Sequence, residues 1–130
     1  MDIAVEKNFK GMQKIAKTVD QYCSAWNKIN IDTRRQILDP IWEQNAKYID
    51  PRSDLTGSEE LVQHIEKIQS SRPGATIERT SEVDLHHNIG RFNWHLKLSD
   101  GTIPLQGLDI VFFNEDQSKI QKIIGFFGPI

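Results

Sequence analysis

The hydrophobic period of this chain changes once, near residue 76, and that change constrains the fold more than any other feature. Before it, apolar residues recur every three or four positions; after it, every second position. Phe9, Met12, Ile15, Ala16, Val19, Tyr22, Cys23, Trp26 and Ile29 share one face of an amphipathic helix expected over residues 9–29. A second helical segment opens near Asp32, where Thr33 and Gln36 have capping-box spacing. Ile37, Leu38, Ile41 and Trp42 form its apolar face, and Pro40 interrupts it. Residues 46–51 (AKYIDP) read as a short strand stopped by Pro51. Thr56 and Glu59 open a third helix, lined by Leu61, Ile65 and Ile68 and closed by Pro73-Gly74.

Beyond residue 76 the alternation predicts strands. Ile77, Val83 and Leu85 share a parity in residues 76–85. Phe92, Trp94, Leu96 and Leu98 share one face of the next strand, with Arg91, Asn93, His95 and Lys97 on the other. Asp100-Gly101 is a strong hairpin turn. Strands at 104–113 and 120–128 follow, separated by a polar turn. Connections this short impose antiparallel pairing, giving the order α-α-β-α-β-β-β-β. The last two strands are apolar on both faces, which predicts cover on both sides: the helices on one, a second subunit on the other.

A chain of 130 residues suits a single domain spanning residues 1–130, with a core and room for one pocket. The net charge is −2 and the basic residues are scattered, so no stripe for nucleic acid is expected. No apolar run approaches the ~20 residues that span a bilayer, and the opening MDIAVEKNFKG carries charges where a signal peptide needs an apolar core. One cysteine, Cys23, allows no intrachain disulfide. The reading is of a cytoplasmic protein that binds neither nucleic acid nor membrane.

Asp109 is the anomaly. It sits inside PLQGLDIVFF (104–113), among Leu108, Ile110, Val111, Phe112 and Phe113. A carboxylate on a dry strand is costly unless it is paired or protonated. It either faces a pocket, as an acid or base with a raised pKa, or it points to solvent or pairs with a strand base. Arg91 or His95 could approach it across the hairpin, depending on register.

The order of elements, together with QYCSAWNKIN in the first helix, YIDP before the third, and LQGLDIVFF and IIGFFG in the last strands, resembles the nuclear transport factor 2-like superfamily. More narrowly, residues 12–128 look like its SnoaL-like polyketide cyclase and ketosteroid isomerase group. The resemblance implies an α+β fold: a cone-shaped, curved antiparallel sheet wrapped by three N-terminal helices, with a pocket at one end. It also implies roles. A catalytic base falls on Asp50, an oxyanion-binding phenol on Tyr22, and a neutral carboxylic acid on Asp109. In the SnoaL-like pattern a strand histidine, His95 by spacing, acts with Asp109. An extra stretch around TRRQILDP departs from the isomerase pattern and leaves Asp54 as a second candidate base.

Each candidate carries a plainer alternative. Asp50 precedes Pro51 in good turn chemistry and could bond its own backbone. Tyr22 could be a core phenol bonded to any carbonyl. His95 could be a half-exposed strand histidine, and His64 a residue at the boundary of the third helix. His86 and His87, adjacent on a strand, are expected on opposite faces and so not to chelate. No metal is expected, because no three or four ligands converge in the pattern.

Trp26, Trp42, Ile65, Phe113 and Phe126 are the expected pocket-lining residues. Two function classes follow. One is a cofactor-independent isomerase, cyclase or dehydratase that moves a proton next to the carbonyl of a small, mostly apolar molecule, needing no cofactor because the carbonyl is the electron sink. The other is a non-catalytic ligand-binding or dimerisation module. A homodimer is expected in either case.

Overall fold

The computed structural model describes residues 3–128, and the side chains of residues 11–128. The first helix, α1 (Ile3–Ser24), buries Ile15, Val19, Tyr22 and Cys23 along one face. The side chain of Phe9, assigned to the same stripe, lies outside the described residues. The helix ends five residues before the expected Ile29. Ala25, Trp26 and Asn27 turn away through bonds to the carbonyls three residues back, and the Ser24 hydroxyl donates to the Gln21 carbonyl.

The second helix, α2 (Ile31–Leu38), is capped by Asn30, whose side chain accepts from the Thr33 N–H at 2.8 Å; Thr33 is inside the helix and not its cap. Pro40 lies beyond its end, and Trp42 begins strand β1 (Trp42–Asp50). That strand is longer than expected. A register shift between Trp42 and Lys47, with Asn45 at φ 67, breaks its alternation and hides its first half from a period-two reading. A hairpin through Pro51-Arg52 leads to β2 (Ser53–Thr56), a strand the pattern does not reveal.

Thr56 therefore ends a strand. Gly57, at φ 83, occupies the cap position of α3 (Ser58–Ser71) without a side-chain bond. The expected strand at 76–85 is two pieces, β3 (Thr76–Arg79) and β4 (Asp84–His86), both antiparallel to β5 (Ile89–Lys97). Strands β6 (Leu105–Phe113) and β7 (Ile120–Phe127) complete the sheet.

The sheet has seven strands in the order β2-β1-β7-β6-β5-β3, with β4 also on β5. One pairing departs from the antiparallel expectation. β1 runs parallel to β7, because no turn joins them and most of the chain separates them in sequence. The three helices pack on the inner face of the curved, unclosed sheet. Leu38, Leu61, Val62, Ile65, Phe92, Val111, Ile120 and Ile123 are fully or almost fully buried there.

Candidate functional site

The register of β5 against β6 sets the site. Phe92 lies opposite Asp109 and Trp94 opposite Gly107, so Asp109 shares the inner face with Phe92, Trp94 and Leu96. His95 pairs with Gln106 on the outer face. It therefore cannot act with Asp109. Its Nε2 lies 3.6 Å from a Glu78 carboxylate oxygen.

The partner of Asp109 is Trp94, whose indole N–H donates to Asp109 Oδ1 at 2.8 Å. Two glycines make this pair possible. A Cβ at Gly107 would sit 2.3 Å from the Trp94 ring, and one at Gly125 would sit 2.9 Å from Asp109 Oδ1. Larger residues at either position would displace the indole or the carboxyl. The second carboxyl oxygen, Oδ2, makes no hydrogen bond among the described residues.

These groups form the deep wall of a cavity of about 310 Å³. From α1 and the turn after it come Tyr22 and Trp26; from β1, Tyr48 and Asp50; from α3, His64 and Ile68; from the sheet, Ile77, Trp94, Leu96, Leu105, Asp109 and Phe127. Arg52, Ser53, Ser71 and Arg72 complete the lining at its exposed end. Tyr22 stacks on Trp42 and meets the edge of Trp26; His64 packs against Trp26 and Tyr48.

Burial raises the Asp109 carboxyl to about 7; the Trp94 bond opposes the rise, and the nearby Asp50 charge adds to it. Burial also pushes the Tyr22 phenol well above its ordinary range, with Asp109 reinforcing the shift. Tyr48 is raised for the same reason, and Asp109 and Asp50 add to it. Both phenols thus stay protonated as donors. The Tyr48 hydroxyl donates to Asp50 Oδ2 at 2.8 Å, and Asp50 Oδ1 accepts from the Arg52 backbone N–H at 2.8 Å. Asp50 accordingly makes the turn bond its sequence suggests and lines the cavity as well. A carboxylate oxygen that accepts one bond can still accept another.

The buried indole N–H of Trp26 makes no hydrogen bond of standard geometry among the described residues, and its closeness to the Tyr22 hydroxyl opposes the rise of that phenol's pKa. Burial depresses His64, more than the opposing Asp50 charge raises it, so its imidazole stays neutral near pH 7.

Tyr22, Asp50 and Asp109 thus meet around one cavity, and the remaining expectations divide. Trp26 lines the cavity. Trp42 is buried behind Tyr22 and does not reach it. Ile65 packs in the core, and Phe113 sits at the far end of β6 from the lining residue Leu105. Phe126 points outward, 52% exposed, because Gly125 opposite Asp109 fixes the parity of β7 and brings Phe127 inward. Asp54 forms an ion pair with Lys47 and stays out of the cavity. His64, Tyr48 and Trp94 are among the cavity residues that sequence reasoning missed. His64 was detectable from its place at the edge of the α3 stripe, whereas Trp94 required the hairpin register.

His86 and His87 do not alternate across the sheet as expected. His87 adopts φ 54, and the two Nδ1 atoms lie 3.0 Å apart. Two nitrogens fall short of a metal site, and no group of three ligating side chains occurs among the described residues.

Comparison with solved structures identifies the fold. A candidate isomerase of the SnoaL-like family from Agrobacterium tumefaciens superposes with a TM-score of 0.83 at 27% identity, over 90% of this chain and 99% of that one. This is the nuclear transport factor 2-like fold, and SnoaL-like proteins are among its neighbours. A nuclear transport factor 2-like protein of unknown function from Exiguobacterium matches at a TM-score of 0.68 and 13% identity, covering 87% and 99% of the two chains. A candidate SnoaL-like polyketide cyclase from Shewanella denitrificans matches at 0.65 and 10%, covering 88% and 90%. No protein-family model and no curated protein matches the sequence. No helix among the described residues is long and apolar enough to cross a membrane.

Proposed function

We propose that this protein is a cofactor-independent enzyme that moves a proton next to a carbonyl group of a small, largely apolar molecule, as an isomerase, cyclase or dehydratase. The observation that carries the reading is the convergence of Tyr22, Asp50 and Asp109 on one cavity of about 310 Å³. Tyr22 and the protonated form of Asp109 are donors without a competing protein acceptor among the described residues. A substrate carbonyl oxygen between them accepts both bonds. Asp50 removes the proton from the adjacent carbon, the C–H pair becomes the enolate double bond, and negative charge develops on the oxygen. Donors fixed in a dry wall stabilise that charge more in the transition state than in the ground state. Return of the proton to another carbon gives an isomer; attack of the enolate on a second carbonyl closes a ring. His64, neutral and in the same wall, is the second group able to carry the proton. The single buried thiol of Cys23 accords with a cytoplasmic setting.

The test is proton exchange. Small β,γ-unsaturated cyclic ketones incubated in deuterated buffer should exchange their α-protons faster with the protein than without it, as followed by NMR. Tyr22→Phe and Asp50→Asn should each slow the exchange about 100-fold or more, in line with losses at oxyanion donors and general bases. Exchange at the buffer rate throughout such a panel would leave the ligand-binding module as the better reading. That reading is favoured by the two hydrogen bonds that already hold Asp50.

A further inference from the structure

The mouth of the cavity carries chemistry that an apolar ketone does not use. Its exposed lining is Arg52, Ser71 and Arg72, with half-buried Ser53 beside them. The chain has six arginines. Four form ion pairs: Arg34 with Glu66, Arg35 with Asp32 and Glu59, Arg79 with Asp20, and Arg91 with Asp84. Among the described residues, the two without a carboxylate partner are Arg52 and Arg72, and both line this cavity. They come from different elements, Arg52 from the β1–β2 turn and Arg72 from the C-cap of α3. The Arg52 guanidinium stands 5.7 Å from the centre of the Phe127 ring, which is also part of the lining. That contact steadies the side chain and leaves its planar fork of donors free. Asp50 is one carboxyl against two guanidinium groups; it bonds the Tyr48 hydroxyl and the Arg52 backbone N–H and forms no ion pair with either arginine among the described residues.

We propose that Arg52 and Arg72 form a carboxylate subsite, so that the substrate is an oxo acid with its carbonyl at Tyr22 and Asp109 and its carboxylate at the mouth. The assignment rests on the function proposed above and narrows its substrate class. A singly charged carboxylate fits better than a phosphate. The mouth receives the C-terminal end of α3, whose partial negative charge disfavours a dianion, and no glycine-rich loop lies there to cradle one. An arginine fork pairs with a carboxylate through two parallel bonds.

Two fluorescent probes separate the mouth from the floor. 2-Naphthol and 6-hydroxy-2-naphthoate share an aromatic body and a hydroxyl that can meet Tyr22 and Asp109; only the second carries a carboxylate. Titrated at pH 7, the naphthoate should bind the wild type at least tenfold more tightly than 2-naphthol. Arg52→Gln and Arg72→Gln should each remove part of that advantage, and the double variant all of it, while 2-naphthol binding stays unchanged and reports an intact fold. Equal binding of the two probes by the wild type overturns the subsite, as does an advantage that survives the double variant. If the carboxylate advantage depends on the arginines but neither probe responds to Tyr22→Phe, the subsite stands and the catalytic floor falls. A wild type that binds neither probe overturns both.

Discussion

At the scale of the residue, Asp109 is costly to the fold and central to the proposed chemistry. A strand carboxyl survives in this core because Trp94 donates to one oxygen, Gly107 and Gly125 leave room for the pair, and the other oxygen borders a cavity. With its pKa moved from an ordinary 3.8 to about 7, the folded state holds a proton that the unfolded chain has lost. Between these values the folded state binds more protons, so stability must fall as pH rises from about 4 to about 7. The loss is on the order of 4 kcal/mol for a shift of this size. Urea denaturation at pH 5 and pH 8 should recover somewhat more than half of it, the rest being lost between about pH 4 and pH 5. Asp109→Asn, which keeps an acceptor for Trp94 but cannot ionise, should flatten the profile between pH 5 and pH 8. An equally steep fall in the variant would assign the effect to other groups. The same proton serves the proposed chemistry, so activity should decline above about pH 7 as the donor is lost. The anomaly itself was legible in the sequence, because a lone Asp among six bulky apolar residues is conspicuous. Its partner was not legible. Trp94, Arg91 and His95 all lie on the facing strand, and only the register decides which of them shares the Asp109 face.

At the scale of the element, the helices were legible by period and their ends were not. The stripe of α1 continues through Trp26 and Ile29 by spacing, yet the backbone leaves the helix at Ser24. Arg34 gives a reason for that path. Buried on α2, it donates to the carbonyls of Ala25 and Asn27 at 2.7 and 2.8 Å and pairs with Glu66 on α3. One guanidinium thus satisfies the turn that carries Trp26 to the cavity and ties it to the helix that carries His64. A solvated arginine at a helix start would do neither. Arg34→Met should cost about 3 kcal/mol, because it strands one buried carbonyl, one half-buried carbonyl and a half-buried carboxylate. Arg34→Lys should recover little of this, since a single ammonium cannot reproduce the planar fork. Chemical denaturation of the three proteins decides the matter, and a loss under about 1 kcal/mol in Arg34→Met would show that the turn holds without it. Strand β1 was half hidden for a comparable reason: the irregularity at Asn45 shifts its parity, and a period-two pattern cannot follow a strand across a bulge.

At the scale of the whole molecule, the sheet has an inner face committed to helices and cavity and an outer face with nothing described against it. Ile49, Leu108, Ile110, Phe112, Ile124 and Phe126 lie on adjacent strands β1, β7 and β6 and point outward, all half-buried or exposed. Single exposed apolar side chains need no explanation, but a contiguous patch across three central strands does. The two-sided apolar pattern of the last strands was legible in the sequence, and the structure gives it a location. The proposed cover is a second copy of the same face. A two-fold axis places identical apolar patches against each other and demands no other partner. The rim suits this arrangement, with Arg91, Lys97, Gln106 and Lys122 around the patch keeping the edges polar. Sedimentation equilibrium at micromolar concentration should return twice the 15.0 kDa chain mass. Ile110→Arg, a charge set in the middle of the patch, should return the monomer while leaving 2-naphthol binding in place, since the cavity lies on the other side of the sheet. A monomeric wild type would mean that the patch is covered by something else or is simply tolerated. A dimer untouched by Ile110→Arg would move the interface off the sheet.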